Sequence, residues 1–238
     1  MGRRTDIGWC EATWNPWQGC HKVSLGCKRC YMFEQKRKFG QDPTLVKRSA
    51  PPTFRAPLGW PDPLHIFACS WSDWFIEDAD EWRPEAWEII RATARHQYLL
   101  LTKRPENIAS RLPSDWGQGW PNVWLGISAE DQRRADERIP PLLATSAALR
   151  FLSLEPLLSP IDLLGGGFGQ SVTGIGLVIV GGESGPNARP MEIDWLARIV
   201  KQCRDAGIPA FVKQASGLWP GRQGEIPDEL WAIQEIPR

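Results

Sequence analysis

The sequence has no net charge and no long apolar run, and each absence excludes a class of protein. Lys plus Arg number 28 and Asp plus Glu number 28, so the formal net charge is zero. A globally basic nucleic-acid-binding protein is therefore excluded, although a local basic patch is not. Every apolar stretch is far shorter than the ~18 residues of a membrane span. No apolar segment follows the basic N-terminus, as one would in a secretory signal. We therefore expect a cytoplasmic protein without membrane insertion.

The aromatic residues are unevenly distributed among types. Tyr occurs only 2 times and Phe 8 times, whereas Trp occurs 14 times in 238 residues. Apolar residues make up 42% of the chain, which is enough for a substantial core. We expect large rings to fill much of that core or to line a cavity. A chain of this length is compatible with one barrel domain spanning residues 1–238.

One pattern repeats along the chain: a short apolar run ends in polar or charged residues, and a helical segment usually follows. The runs are 64–69, 98–101, 123–127, 149–154, 176–180 and 210–212, with a further strand near the N-terminus. Helical periodicity covers 81–95, 132–143 and 194–206. Apolar strands alternating with helices predict an α/β fold with parallel strands, as a partial or complete (β/α) barrel. A doubly wound open sheet is the alternative.

Two segments are expected to interrupt this pattern. The proline-rich stretch 40–63 predicts a long loop near the mouth or the open side of the barrel. The charged helix 132–143 is expected to be exposed and broken at Pro140-Pro141. In either fold, ligands bind at the carboxyl ends of the strands, where this sequence places its polar side chains.

The six cysteines cluster, since four of them fall within the first 30 residues. Cys69 and Cys203 stand in apolar surroundings and are predicted to be small buried residues. Cys20, Cys27 and Cys30 form a C-x6-C-x2-C motif within the expected loop of residues 10–31. Thiolates are soft ligands that suit zinc or an iron–sulfur cluster. Three thiolates on a four-iron cluster leave one iron open to a substrate or cofactor.

A fourth ligand would change the type of metal site. Structural zinc is usually closed by four protein ligands. His21 is a poor fourth ligand because it directly follows Cys20, and adjacent residues rarely point at one metal. Cys10 is a better one, so a zinc site on Cys10, Cys20, Cys27 and Cys30 stays open on spacing alone.

Several motifs carry a resemblance that covers nearly the whole chain. They are WNPWQGC at 14–20, SLGCKRCY at 24–31, LTKRP at 101–105, GGESGP at 181–186, RPM at 189–191 and FVKQ at 211–214. These segments resemble a largely uncharacterised bacterial and phage family of three-Cys-motif proteins, which is in turn similar to radical S-adenosylmethionine (SAM) enzymes. The resemblance implies a partial barrel, a three-cysteine loop after the first strand, a [4Fe-4S] cluster, bound SAM and an external reductant.

The sequence departs from the radical SAM pattern at three points. That superfamily usually has C-x3-C-x2-C, whereas the first gap here is six residues, and its aromatic residue usually precedes the last cysteine, whereas Tyr31 follows it. Its Gly-Gly-Glu follows the second strand, where this chain has Ser72-Asp73. The only Gly-Gly-Glu here is at 181–183, on a much later strand.

The resemblance implies that an electron from the cluster cleaves SAM to a 5′-deoxyadenosyl radical, and that the protein orients the reactants in a dry cavity. Candidate cluster ligands are Cys20, Cys27 and Cys30. Candidate SAM contacts are Tyr31, Ser72, Asp73, Ser128 and Glu130. Candidate catalytic residues at the substrate end are Lys103, Arg104, Glu155, Glu183, Arg189 and Lys213. Each could instead be a helix cap, a turn residue or a solvated charge.

Seven basic residues near the cysteine motif bear on the class of substrate. Basic residues interleaved with aromatics could bind a nucleic acid or nucleotide, or could form a solvated helix face. They are Lys28, Arg29, Lys36, Arg37, Lys38, Lys47 and Arg48. Two other functions remain open: a zinc-stabilised barrel that acts as a binding module, and an iron–sulfur enzyme that uses the open iron as a Lewis acid without SAM.

Overall fold

The computed structural model describes residues 4–165 and 172–237, and this part of the chain has an α/β fold. Its strands are β1 Ala12–Trp14, β2 Trp17–Gln18, β3 Lys47–Arg48, β4 His65–Ala68, β5 Gln97–Thr102, β6 Val123–Ser128, β7 Leu149–Leu154, β8 Leu177–Gly181 and β9 Ala210–Gln214. Its α-helices are α1 Tyr31–Lys38, α2 Pro51–Phe54, α3 Arg83–Ala92, α4 Ile108–Arg111, α5 Gln132–Leu143, α6 Ile193–Asp205 and α7 Asp228–Trp231.

The strands of the main sheet follow one another in chain order. Within the described residues, the seven-stranded sheet has the order β1-β4-β5-β6-β7-β8-β9. The pairs β1–β4, β4–β5, β7–β8 and β8–β9 are parallel. A doubly wound sheet reverses its strand order at a switch point, and this sheet does not. The expected α/β fold is therefore confirmed, with the strand order of a partial (β/α) barrel rather than of the doubly wound alternative.

The chain divides into two compact units. The first comprises residues 4–23, Cys30–Leu125 and Thr145–Ala148. The second comprises Ser24–Arg29, Gly126–Ala144 and the described residues from 149 onward. Of the motif cysteines, Cys20 and Cys30 belong to the first unit and Cys27 to the second.

Tryptophan rings build the core of the first unit, as the composition predicts. Trp14, Trp17 and Trp74 are almost completely buried. The ring of Trp74 lies 5.0 Å from that of Trp17 and 5.1 Å from that of Trp87. Trp87 in turn contacts Trp116, at 5.7 Å between ring centroids. Tilted and edge-on contacts of this kind suit the charge distribution of aromatic rings.

The proline-rich stretch 40–63 is not one long loop, which corrects the expectation. It contains β3, which pairs antiparallel with β2, and the short helix α2. Pro51 opens α2, where a missing N–H costs nothing because the first turn has no acceptor for it. Phe54 is buried, and its carbonyl accepts a hydrogen bond from Trp14 Nε1 at 3.0 Å. Elements of two to four residues carry too little periodicity for a sequence pattern to reveal them.

Helix α5 is neither broken nor fully exposed, which corrects a second expectation. It continues through Pro140 and Pro141, which occupy its last turn. Arg138, Ile139 and Leu142 are buried, so one face of the helix packs against the protein. Burial of that face offsets the backbone hydrogen bonds that the prolines remove. Helix α6 buries one apolar face, as its periodicity predicts.

The C-terminal segment pairs with the outer edge of β9. Val212 N donates to Ile233 O at 2.8 Å, and Glu235 N donates to Ala210 O at 2.9 Å. Phe211 and Gln234 form an antiparallel bridge between these two bonds. The backbone groups on this side of β9 are thus paired within the chain.

Among the helices of residues 4–165 and 172–237, none has the length and apolar character needed to cross a bilayer.

Candidate functional site

The cysteine motif lies on the chain segment between β2 and α1. Cys20 comes two residues after β2, Cys27 closes the 3₁₀ turn Leu25–Cys27, and Cys30 directly precedes α1. All three side chains are half-buried, so each thiol is sheltered but accessible. Cys30 occupies the N-cap position of α1, where the unpaired backbone N–H groups favour negative charge on the sulfur.

Arg104 reaches the first cysteine from the end of β5. Its Nη1 lies 3.9 Å from Cys20 Sγ, and its Nη2 donates to the carbonyl of His21 at 2.9 Å. Burial by itself would lower the pKa of Arg104, but the charges of Asp73 and Cys20 outweigh burial and raise that pKa above its usual value. A buried guanidinium therefore faces Cys20 and keeps its charge at every physiological pH.

Asp73 holds Arg104 in place. Its Oδ2 accepts from Arg104 Nη1 at 3.1 Å and from the Lys103 backbone N–H at 3.0 Å. Its Oδ1 accepts from Thr102 Oγ1 at 2.7 Å and from the Phe75 backbone N–H at 2.9 Å. Both carboxylate oxygens are thus engaged by protein donors at the ends of β4 and β5. This arrangement suits a positioning role for Asp73.

Glu130 holds the backbone beside the second cysteine. The N–H of Gly26 donates to Glu130 Oε1 at 3.0 Å, and Arg138 Nη1 lies 3.0 Å from Glu130 Oε2. Glu130 is fully buried, so its charge depends on the guanidinium of Arg138. Ser24 Oγ lies 3.9 Å from Cys27 Sγ. The residue that precedes Cys27 is therefore fixed by a hydrogen bond to a buried carboxylate.

Glu183, at the end of β8, is bound by one arginine and approached by another. It accepts hydrogen bonds from the backbone N–H of Arg189 and from its Nε, both at 2.9 Å, and from its Nη2. Arg29 Nη1 lies 4.0 Å from Glu183 Oε2. Burial would raise the pKa of Glu183, but these hydrogen bonds and charges lower it below its usual range. Glu183 is thus a carboxylate at neutral pH.

Glu155 and Lys213 form an ion pair at the ends of β7 and β9. Their side chains are 19% and 17% exposed, so solvent reaches both groups. The Glu155 carbonyl accepts from Ser128 Oγ at 3.1 Å, and the Glu155-Pro156 peptide bond is cis. A half-buried carboxylate–ammonium pair of this kind can donate or accept a proton.

The remaining predicted cofactor contacts are hydroxyl groups. Tyr31 OH donates to the carbonyl of Ser70, and Ser72 Oγ donates to the carbonyl of Gly19 at 2.6 Å. Each hydroxyl has donated its proton to the backbone and keeps lone pairs that can accept a bond. Both lie in the first unit; Tyr31 directly follows Cys30, and the Gly19 carbonyl that Ser72 bonds directly precedes Cys20.

Close metal-ligand geometry is not found in the described residues. Within 4–165 and 172–237, no three His, Cys, Asp or Glu side chains are placed to hold one metal ion. His21 pairs instead with Asp78, at 3.1 Å from Nε2 to Oδ2.

The prediction that Cys69 and Cys203 are buried is confirmed, and burial raises the pKa of both thiols, that of Cys203 to about 12.

Three residues of this region were not anticipated from the sequence. Arg138 neutralises Glu130, Arg29 approaches Glu183, and Gly26 lets its backbone come close to Glu130. A Cβ on Gly26 would lie 2.9 Å from Glu130 Cδ. The sequence held a partial signal for Gly26, a glycine inside a cysteine motif, and for Arg29, a member of the basic set, but it did not indicate the partner of either residue. Nothing in the pattern of α5 distinguishes Arg138 from its exposed neighbours.

The comparisons with known proteins bear on the family alone. No curated protein and no solved structure shows a significant match to the chain. One family model, described as a protein of unknown function (DUF5131), matches residues 4–226. Because this match covers most of the 238 residues, the chain belongs to that family of unknown function.

Proposed function

We propose that this protein is an iron–sulfur enzyme of the radical SAM type, in which Cys20, Cys27 and Cys30 hold a [4Fe-4S] cluster. The observation that carries the proposal is where the motif lies. All three cysteines stand between β1, an edge strand of the parallel sheet, and α1. Segments that follow the carboxyl ends of parallel strands are where α/β folds hold their ligands. The resemblance to radical SAM enzymes places a three-cysteine loop at the same point of the chain.

The donor set suits such a cluster. Three half-buried thiols within eleven consecutive residues are soft ligands for iron. Ligands of a cluster stand farther apart than ligands of a single ion, because bridging sulfides separate the irons. Cluster ligands therefore need not form the close group of three side chains that would hold a single metal ion, and no such group is found in the described part of the chain. When bound, the cluster would supply the electron that cleaves the sulfonium of SAM.

In this proposal, three charged residues position the cysteine segment. Arg104 directs an N–H at Cys20 Sγ and stabilises negative charge on that sulfur. Asp73 holds Arg104, and Glu130 holds the Gly26 backbone beside Cys27. Such partners orient ligands and tune the reduction potential of a cluster. We therefore assign Asp73 and Glu130 positioning roles rather than direct contacts to SAM.

The other strand-end residues are assigned to the reactants. Tyr31, Ser72 and Ser128 have hydroxyl lone pairs that can accept hydrogen bonds from SAM. The Glu155–Lys213 pair can hold or move a proton on the substrate, and the Arg189 guanidinium on Glu183 can bind an anionic group. Lys103 follows β5 next to Arg104 and is assigned to the substrate end.

Anaerobic purification with metal analysis tests the proposal. We expect about four irons and four sulfides per chain, and a change in the visible spectrum when SAM is added. Alanine at Cys20, Cys27 or Cys30 should abolish iron binding. Cys203→Ala is the matched control, because Cys203 lies buried in α6, outside the motif, and its loss should leave the iron content unchanged.

The alternatives predict different results in the same experiment. One zinc per chain without iron, lost in Cys10→Ala, would contradict the proposal and support a four-cysteine zinc site in a binding module. A four-iron cluster whose spectrum does not respond to SAM, with no SAM binding by calorimetry, would favour an enzyme that uses the open iron as a Lewis acid.

A further inference from the structure

A basic cavity of about 490 Å³ lies in the first unit, and no cysteine of the motif lines it. It is formed by the end of α1, the antiparallel pair of β2 and β3, and residues 40–42 and 49–50. The residues that line it are Gln18, Lys36, Gly40, Gln41, Asp42, Lys47, Arg48, Ser49 and Ala50. Three of these nine residues are cationic and one is anionic. The cavity therefore gathers three members of the basic set seen in the sequence.

Lys36 is the unusual member. Its side chain is only 4% exposed, yet in the described part of the chain its ammonium makes no hydrogen bond or ion pair. Burial and the neighbouring Lys47 lower the pKa of Lys36, while Asp42 partly counteracts them. Three N–H donors without protein acceptors are available to whatever occupies the cavity. The Lys36 side chain lines the cavity, where an anionic ligand would pair with its charge.

Nearby charges leave the cavity positive. The Asp42 carboxylate is engaged by Thr44, whose backbone N–H donates at 2.8 Å and whose Oγ1 donates at 2.7 Å. Arg48 pairs with Glu85, and its guanidinium stacks on the ring of Phe54 at 4.1 Å. The charge of Arg48 is therefore largely neutralised, whereas the ammonium groups of Lys36 and Lys47 remain to attract a shared anion.

An exposed aromatic residue stands next to a cavity-lining glycine in the chain. Phe39 follows the last residue of α1 and directly precedes Gly40, and it is 72% exposed. A large apolar ring in water gains from stacking on a nucleobase, and such stacking tolerates any base. Two lysines that can hold a phosphate beside an exposed ring are the pairing typical of proteins that bind single strands.

We propose that this cavity binds single-stranded nucleic acid, with a backbone phosphate held by Lys36 and Lys47 and a base stacked on Phe39. The site is separate from the proposed cluster, since none of the three cysteines of the motif lines the cavity. It does not depend on the proposed enzymatic function, and it gives that function a substrate class. Because the chain has zero net charge, we expect binding to depend on this local site rather than on a general attraction of polyanions to the whole surface.

Fluorescence anisotropy with a labelled 12-nucleotide strand, as DNA and as RNA, tests the proposal. Lys36→Gln and Lys47→Gln should each weaken binding about fivefold at low salt and reduce the slope of log K against log salt by about 0.7. Phe39→Ala should weaken binding about tenfold with no change in slope. Lys38→Gln is the matched control, because Lys38 is exposed on the same helix and does not line the cavity.

Several outcomes would overturn the proposal. They are no binding by the wild-type protein, an equal loss in Lys38→Gln, and competition by a mononucleotide as strong as by the strand, which would indicate a free-nucleotide site. Lys47→Gln keeps the test valid if Lys36→Gln fails to fold, because Lys47 is exposed on β3. The titrations are repeated with Cys20→Ala, where unchanged binding is expected even though the proposed cluster would be lost.

Discussion

The Asp73–Arg104 pair is the residue-scale feature with the largest expected effect on stability. Both side chains are 6% exposed, and Asp73 accepts four protein hydrogen bonds, one of them from Arg104. Removing one partner leaves a buried charge without compensation, so Asp73→Asn or Arg104→Gln should each lower the free energy of unfolding by about 3 kcal/mol. Urea denaturation at pH 7 would measure both.

The double variant distinguishes a coupled pair from two independent residues. Asp73→Asn combined with Arg104→Gln removes both charges, so its loss of stability should fall well below the sum of the single losses. Additive losses would show that the two groups do not depend on each other. Arg95→Gln is a control, because that arginine lies in the same unit, is exposed, and bonds backbone carbonyls such as that of Trp60 rather than a carboxylate.

Glu183 should make the free energy of unfolding depend on pH. Its folded-state pKa lies below the ordinary value of 4.5, so the carboxylate stabilises the fold above that pH. That contribution is lost as the pH falls through the lower, folded-state pKa. The difference in unfolding free energy between the wild type and Glu183→Gln should therefore be largest at neutral pH and shrink below pH 4.5. Urea denaturation between pH 7 and pH 3 would show it.

The control for this prediction is a glutamate without such partners. Glu225 is exposed in the second unit, and Glu225→Gln should differ little from the wild type at any pH. A Glu183→Gln difference that stays constant from pH 7 to pH 3 would mean that ionisation of Glu183 does not contribute to stability.

At the scale of elements, the turn that carries Cys27 should tolerate no side chain at Gly26. An alanine Cβ there would lie 2.9 Å from Glu130 Cδ, and Glu130 is held by Arg138 and cannot easily move away. We expect Gly26→Ala to lower the unfolding free energy by about 1–3 kcal/mol and to reduce iron incorporation. Gly59→Ala is the control, because no atom lies within 4 Å of a Cβ at that position. Equal behaviour of the two variants would exclude a close fit at Gly26.

Long elements were predictable and short ones were not. The β7 strand matches its apolar run, and the run 98–101 lies inside β5, because six-residue strands with three or four consecutive buried residues give a clear signal. The two-residue strands β2 and β3 and the four-residue helix α2 offered no period to detect. Strand-end positions of Asp73 and Glu183 followed from the same pattern. Their partners did not, because Arg104–Asp73 and Arg29–Glu183 join residues 31 and 154 positions apart, and no local pattern encodes such pairs.

At the scale of the whole molecule, the C-terminal segment should protect the β9 edge of the sheet from pairing with another chain. Residues 233–235 pair with β9, the last strand of the sheet. Deleting residues 232–238 would expose backbone donors and acceptors on an apolar strand, which is a template for pairing with another chain. We expect the truncated protein to form larger assemblies in size-exclusion chromatography with light scattering. Gln234→Ala, which keeps the backbone bonds, should behave as the full chain does, and an unassociated truncated protein would contradict the prediction.

The placement of the indole rings decides what an optical experiment on this protein observes. Eleven of the 14 tryptophans belong to the first unit, and the tilted and edge-on rings of its core lie close enough to exchange excitation energy. Intrinsic fluorescence will therefore follow the melting of the first unit and will hardly register the second. A transition recorded by emission alone must be paired with far-ultraviolet circular dichroism, because only coincident curves justify a two-state free energy for the entire chain.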